Sequence, residues 1–294
     1  MTPQLNAVEA LAMVPGWDRE TADIEELKGG LTNRVYHVRS GGRECVLRLA
    51  APGHPVHRGI NTAMYKSADN CGTFDRHWSC EPAILETASA AGIAPAMLYA
   101  DSTAGILVTE YLHGRVWREP DLESRENIEA LAELLRRVHA LPHCGSRVDL
   151  TGIAEKYERY LKERHGLHAF AANCVRIISE SPVHEGVACC HNDIVAANII
   201  ESGGLKLIDW EYACDNDPMF DLASAIGFHN FDEDRQQLLL SAYAGGASGE
   251  LKERLAEQVR VFDAIQWLWL AKRHLASPHR EQARRLEELR QRIC

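Results

Sequence analysis

The stretch that most constrains this chain is 187–213, VACCHNDIVAANIIESGGLKLIDWEYA, where two short apolar runs, 187–190 and 205–208, each end on a polar cluster. Short apolar runs bounded by turn residues read as buried strands. His191, Asp193 and Asn198 follow the first run, and Asp209 ends the second. Whatever the chain folds into must carry these two strand ends and their polar side chains.

The flanking sequence divides by texture. Residues 24–49 alternate and turn as consecutive antiparallel strands, with Gly41-Gly42 as a hairpin and Gly29-Gly30 as a second turn. Residues 51–80 mix Pro, Gly and polar residues without a period and read as a long loop. A helix is predicted over 81–91 with Pro82 in its first turn, where proline is tolerated. Residues 92–112 then supply a strand, a turn at 102–105 and an apolar strand. Beyond 113 the pattern is helical. Ile128, Leu131, Leu134, Leu135, Val138 and Leu141 form one amphipathic face, further helices are predicted over 153–161 and 169–179, and helical texture resumes from 218. The final REQARRLEELRQRI interleaves Glu with Arg, which fits a solvated helix better than a nucleic-acid patch.

A strand-rich start and a helix-rich remainder predict an α+β protein of two lobes, residues 1–112 and 113–294, and 294 residues suffice for both. A cleft between lobes is a common ligand site. Forty-two acidic against 32 basic residues, a formal charge of −10, argue against nucleic acid as partner and permit a cationic one. The first 16 residues lack a basic, apolar leader pattern, and no run approaches the ~18–20 apolar residues of a membrane span, so a cytoplasmic location is expected. Nine cysteines without CxxC spacing predict reduced thiols rather than a disulfide framework.

The polar groups of 187–213 suit phosphoryl transfer. That reaction needs a carboxylate near the attacking hydroxyl and hard oxygen ligands for Mg²⁺. Asp193 would accept from the hydroxyl, Asn198 and Asp209 would converge on the metal because the two strands lie side by side, and His191 would brace the loop. An isolated HxD is usually no more than a loop hydrogen bond. Two strands that both end on the required group outweigh that reading.

With HND, the following AN and IDWEYA, the chain resembles the choline/ethanolamine kinase and aminoglycoside phosphotransferase superfamily, most closely the bacterial choline kinases of lipopolysaccharide modification. Further matches are GGLTNRVYHV (29–38), CVLRL (45–49), Glu81 with GIAP, VTEYLHG (108–114), RRVHALP (136–142) and DPMFDLA (217–223). The resemblance implies a protein-kinase-like fold, ATP and Mg²⁺ as cofactors, a nucleotide-binding first lobe and a catalytic, acceptor-binding second lobe. It implies that Gly29, Gly30, Thr32 and Asn33 cover the nucleotide phosphates, where glycine permits close backbone approach. Read alone, GGLTN is a weak signal and more often an ordinary hairpin. Arg48 would grip phosphate oxygens through its planar fork, Glu81 would hold Arg48, and the backbone from Glu110 to Leu112 would meet the adenine. Asp221 matches a structural aspartate.

The acceptor implied is a small hydroxyl compound, cationic and in the first place choline, with ethanolamine, another amino alcohol or an aminoglycoside as alternatives. A quaternary ammonium favours aromatic faces beside a carboxylate. Asp263 and Trp267, four apart on a predicted helix, are the candidates, with Trp210 and Tyr212 nearer the catalytic loop. Core packing is the competing reading of these aromatics. Residues 51–80 carry His54, His57, His77, Cys71 and Cys80 in spacings that fit no common zinc finger, so a flap over nucleotide or substrate is expected there. A silent kinase-like binding module is the remaining alternative.

Overall fold

The computed structural model describes residues 5–27, 33–50, 65–67, 77–162, 166–246 and 248–294. The Gly29-Gly30 turn and most of 51–80, with His54, His57 and Cys71, lie outside the described residues.

A short helix α1 (Ala7–Leu11) is followed by strands β1 (Asp23–Leu27), β2 (Asn33–Ser40), β3 (Arg43–Ala50) and β4 (Tyr65–Ser67), helix α2 (His77–Ala90) and strands β5 (Met97–Asp101) and β6 (Ile106–Glu110). Five of these strands form an antiparallel sheet in the order β1-β2-β3-β6-β5. The β2–β3 turn is the two-residue hairpin expected, with Gly41 and Gly42 at φ 58° and 73°. Positive φ at both positions is what that turn requires. Period-two alternation sends Cys45, Leu47 and Leu49 to one face, against Ala10, Leu11 and Val14. It therefore sends Arg48 to the other face, over the cleft. Helix α2 begins at His77, four residues before the expected start, so Pro82 sits inside it rather than in its first turn. Burial of Ile84, Leu85 and Ala88 offsets the backbone hydrogen bond that proline forgoes.

The second lobe contains β7 (Arg115–Val116), α3 (Arg125–His139), β8 (Ser146–Val148), α4 (Leu150–Leu161) and α5 (His168–Glu180). Strands β9 (Ala188–Cys190), β10 (Ile199–Glu201), β11 (Leu205–Leu207) and β12 (Cys214–Asn216) come next, then α6 (Pro218–His229), α7 (Glu233–Ala244), α8 (Gly249–Ala276) and α9 (Arg280–Ile293). The α3 stripe is buried as its spacing requires, and Ser124 caps the helix by accepting from Asn127 N–H. One core runs from α2 and Leu107 through α3 to α7 beneath the cleft, and a second joins α4, α5, α8 and α9.

Two expectations about strand pairing are corrected. The runs expected to lie side by side do not pair: β9 pairs with β12, and β11 pairs with β10. The reason is local, since Gly203 and Gly204 at positive φ fold Ile199–Leu207 into its own hairpin. The described parts of the 51–80 segment are a strand and the start of α2 rather than loop, with β4 adding to the edge of the lower sheet in the order β4-β8-β12-β9. Among the described residues no helix is long and apolar enough to cross a membrane. Cys45, Cys174, Cys189, Cys190 and Cys214 are buried free thiols.

Candidate active site

The loop after β9 is held through its backbone. The fully buried Asp221 accepts from His191 N–H at 2.9 Å and Asn192 N–H at 2.6 Å. His139 braces Asp221 from the other side at 3.0 Å. Asn192 is left-handed at φ 65°, and its amide joins Tyr212 O and Asn216. These bonds stabilise a conformation that L-residues otherwise disfavour. Asp209 is likewise left-handed at φ 61°. Both strained positions lie beside the polar side chains that the sequence picks out.

Asn198 and Asp209 are drawn together by backbone bonds rather than by pairing of the two apolar strands. Ile208 N–H donates to Asn198 O at 3.0 Å, and His191 Nε2 donates to Ile208 O at 3.0 Å. Accepting by a carbonyl fixes the proton on Nε2, and burial depresses the imidazole pKa. His191 is thus a neutral brace, edge-on to the Trp210 ring at 4.9 Å. Asn198 Nδ2 donates to Asp193 Oδ2 at 3.0 Å, so Oδ1 is the atom this amide could offer a metal.

Charge is crowded here. Burial, then the neighbouring Asp209 and Glu211, push the Asp193 carboxyl up to about 7. Arg48 reaches down from β3 to give Asp209 a 2.9 Å bond and pairs with Glu81 of α2. Burial works against the guanidinium charge, yet Glu81, Asp209 and Glu211 hold its pKa above the ordinary value. Burial likewise raises Glu81, against the pull of Arg48. A second bond between lobes runs from Asn33 Nδ2 to Glu211 Oε2 at 2.7 Å. Two carboxylates repelling a third, plus an amide oxygen, form a hard-oxygen donor set that suits a Mg²⁺ ion, whose charge would relieve that repulsion. Glu211 is the residue that sequence reading missed. Its signal was present in DWEYA, two positions after Asp209, but the aromatic neighbours drew the attention.

The remaining expected residues divide. Gly30 and Thr32 lie outside the described residues. Glu110 N–H donates to Ala96 O at 2.8 Å, so its carbonyl is what it can offer a base. Leu112 is buried at the end of the connector, beside Tyr111 stacked on His37 at 3.7 Å. Tyr212 sits by the acids: burial first, then Glu211 and Asp193, raise its hydroxyl pKa well above the ordinary value.

The other proposed acceptor contacts are placed in the core. Trp210 is 1% exposed and donates to Leu207 O at 2.9 Å. Trp267 is 2% exposed and packs on Phe170 at 4.6 Å in the second core. Asp263 is neutralised by Arg292, with Nε to Oδ2 at 2.9 Å. The reason is the depth of α8, whose middle is enclosed by α4, α5, α6 and α9, so even residues on one helix face are consumed by packing.

An antiparallel five-stranded lobe over a helical lobe, with a cation from β3 held by a helix glutamate and acids at the base of the cleft, defines a protein-kinase-like fold. The chain belongs to the phosphotransferase enzyme family (APH), whose profile matches residues 23–257. Thiamine kinase from Salmonella paratyphi A is 31% identical over 174 residues, 58% of this chain and 60% of that protein. The chain thus matches about 60% of the length of that curated relative. A choline/ethanolamine kinase family protein from Mesorhizobium loti superposes with TM-score 0.70 at 24% identity, over 98% of this chain and 92% of that one. Choline kinase LicA from Streptococcus pneumoniae, also solved in complex with AMP, gives TM-score 0.71 at 22% identity, over 92% and 93% of the two chains.

Proposed function

We propose that this chain is an ATP- and Mg²⁺-dependent phosphotransferase that moves the γ-phosphate to the hydroxyl of a small organic cation, choline in the first place. The carrying observation is Asp193, half-buried and crowded by Asp209 and Glu211. Residues 1–112 would bind nucleotide and 113–294 would hold the acceptor and the chemistry, in a cytoplasmic enzyme. Asp193 accepts the proton of the acceptor hydroxyl as its oxygen bonds to phosphorus, and the bond from phosphorus to the bridging oxygen of ADP breaks. Asn198 and Asp209 would hold Mg²⁺, which supplies charge neutralisation on the phosphates. Arg48, fixed by Glu81, orients phosphate oxygens through its fork, and Asn33 exchanges Glu211 for the nucleotide.

Thiamine is a second acceptor supported by a specific observation, the 31% identity to a thiamine kinase. It too is a primary alcohol bearing a fixed cationic charge. With Trp267 and Trp210 in the core, Tyr212 remains the aromatic beside Asp193, and the cation is served mainly by the acidic cleft. The test is ADP release from ATP and Mg²⁺ across choline, thiamine, ethanolamine and kanamycin, with Asp193→Ala as blank. Turnover on choline or thiamine alone supports the reading. Turnover on kanamycin alone, or activity that survives in the blank, overturns it.

A further inference from the structure

The chemistry of the loop depends on where its backbone is held, and one helix holds it at successive amides. From α6, Asp221 takes His191 N–H and Asn192 N–H, and Ser224 Oγ takes Ile194 N–H at 2.7 Å. His229, the last residue of α6, takes Ala196 N–H on Nε2 at 3.1 Å. Asp193 is thus bracketed by gripped amides, and Asn198 follows two residues after the last of them. Ala196 opens the single 3-10 turn that ends on Asn198. Without an acceptor, its buried amide would be orphaned and the turn free to open.

We infer that His229 is a positioning residue for the phosphate-transfer loop: its Nε2 lone pair fixes Ala196 and thereby sets the approach of Asn198 to Asp193. The inference rests on the proposed role of Asp193. Only a neutral imidazole can accept at Nε2. Burial first, then Arg285 and Arg235, lower the His229 pKa to about 4, which keeps the lone pair at any physiological pH. The tautomer that accepts at Nε2 leaves Nδ1–H buried and without a partner among the described residues. A donor left so is uncommon in folded proteins, and its retention accords with a constraint on the ring beyond packing.

The anchorage comes from the C-terminal helix. Arg285 of α9 binds Gly227 O and Asn230 Oδ1, the latter at 2.7 Å. Arg292 binds the same two acceptors at 3.3 and 2.9 Å. Asn230 is left-handed at φ 50° and caps α6 immediately after His229. Two arginines from α9 therefore hold a backbone carbonyl before the histidine and the Asn230 side chain after it. This assigns α9 a task in the site although none of its residues reaches the cleft acids.

The test uses the full chain, free and with ADP and Mg²⁺. In His229→Leu, the Ala196 amide exchange rate measured by NMR should rise roughly tenfold, the ordinary weight of a lost buried hydrogen bond. Turnover should fall by about tenfold or more while the KM for ATP stays within twofold. His229→Gln, whose Oε1 can accept near the Nε2 position, should restore both. Unchanged Ala196 exchange in the leucine variant, or failure of Gln to restore a folded protein's turnover, overturns the inference. If wild-type protein phosphorylates no acceptor, the kinase reading fails by itself, and the exchange measurement still decides whether His229 holds the loop.

Discussion

Two acids in the second lobe have opposite fates. Asp263, 3% exposed in α8, is paired with Arg292, whose side chain stays partly exposed. Asp193 shares one neighbourhood with Asp209 and Glu211, and among the described residues the cation reaching them, Arg48, is divided between Asp209 and Glu81. A neutral pair can serve as scaffold, because its desolvation is offset internally. A surplus of negative charge at the base of a cleft stays costly until a cation or proton arrives, and such surplus marks a functional site.

The contrast can be broken most severely at Asp193. Asp193→Ala should lower kcat by roughly 10³-fold or more with unchanged circular dichroism, since it removes the group that accepts the proton. Asp263→Ala should do the reverse, destabilising the fold by about 1–3 kcal/mol by taking the carboxylate partner from Arg292, while kcat of the folded fraction stays within about threefold. Urea unfolding read beside specific activity separates the two. If Asp263→Ala instead abolished choline turnover in a stable protein, Asp263 would belong to the acceptor site after all.

A pH series sharpens the same difference. The folded pKa of Asp193 lies near 7, above its ordinary 3.8, so the folded state binds the proton more tightly than the unfolded chain. Its contribution to stability is therefore fully present below about 3.8 and is lost as pH rises through about 7. In metal-free protein, the melting temperature of wild type relative to Asp193→Asn should decline across that window. Glu211→Gln gives the smallest effect: removing one like charge should lower the Asp193 pKa by a fraction of a unit and move the acid limb of the rate profile to lower pH.

Much of the molecule was legible because its signals are local. The Gly41-Gly42 hairpin, the buried stripe of α3 and the loop HND need only neighbouring residues to be read. Strand partners were less so, since β10–β11 was concealed inside a run that looked like one strand, a loop and another. Glu211 was passed over because its partner Asn33 lies 178 residues away. The burial of Trp267 against Phe170 was not legible because helical spacing reports a shared face and says nothing of what covers it.

The sequence by itself determined the two-lobed α+β class and the acids, amide and arginine that phosphoryl transfer requires, since these follow from residue type and short-range period. The tertiary structure alone decided that Arg48 meets Asp209 across 161 residues, that Asp263 is neutralised by α9, and that His229 reaches Ala196. Those contacts depend on how whole helices pack. The free energy of that packing is summed over the entire core, and no short stretch of chain contains it.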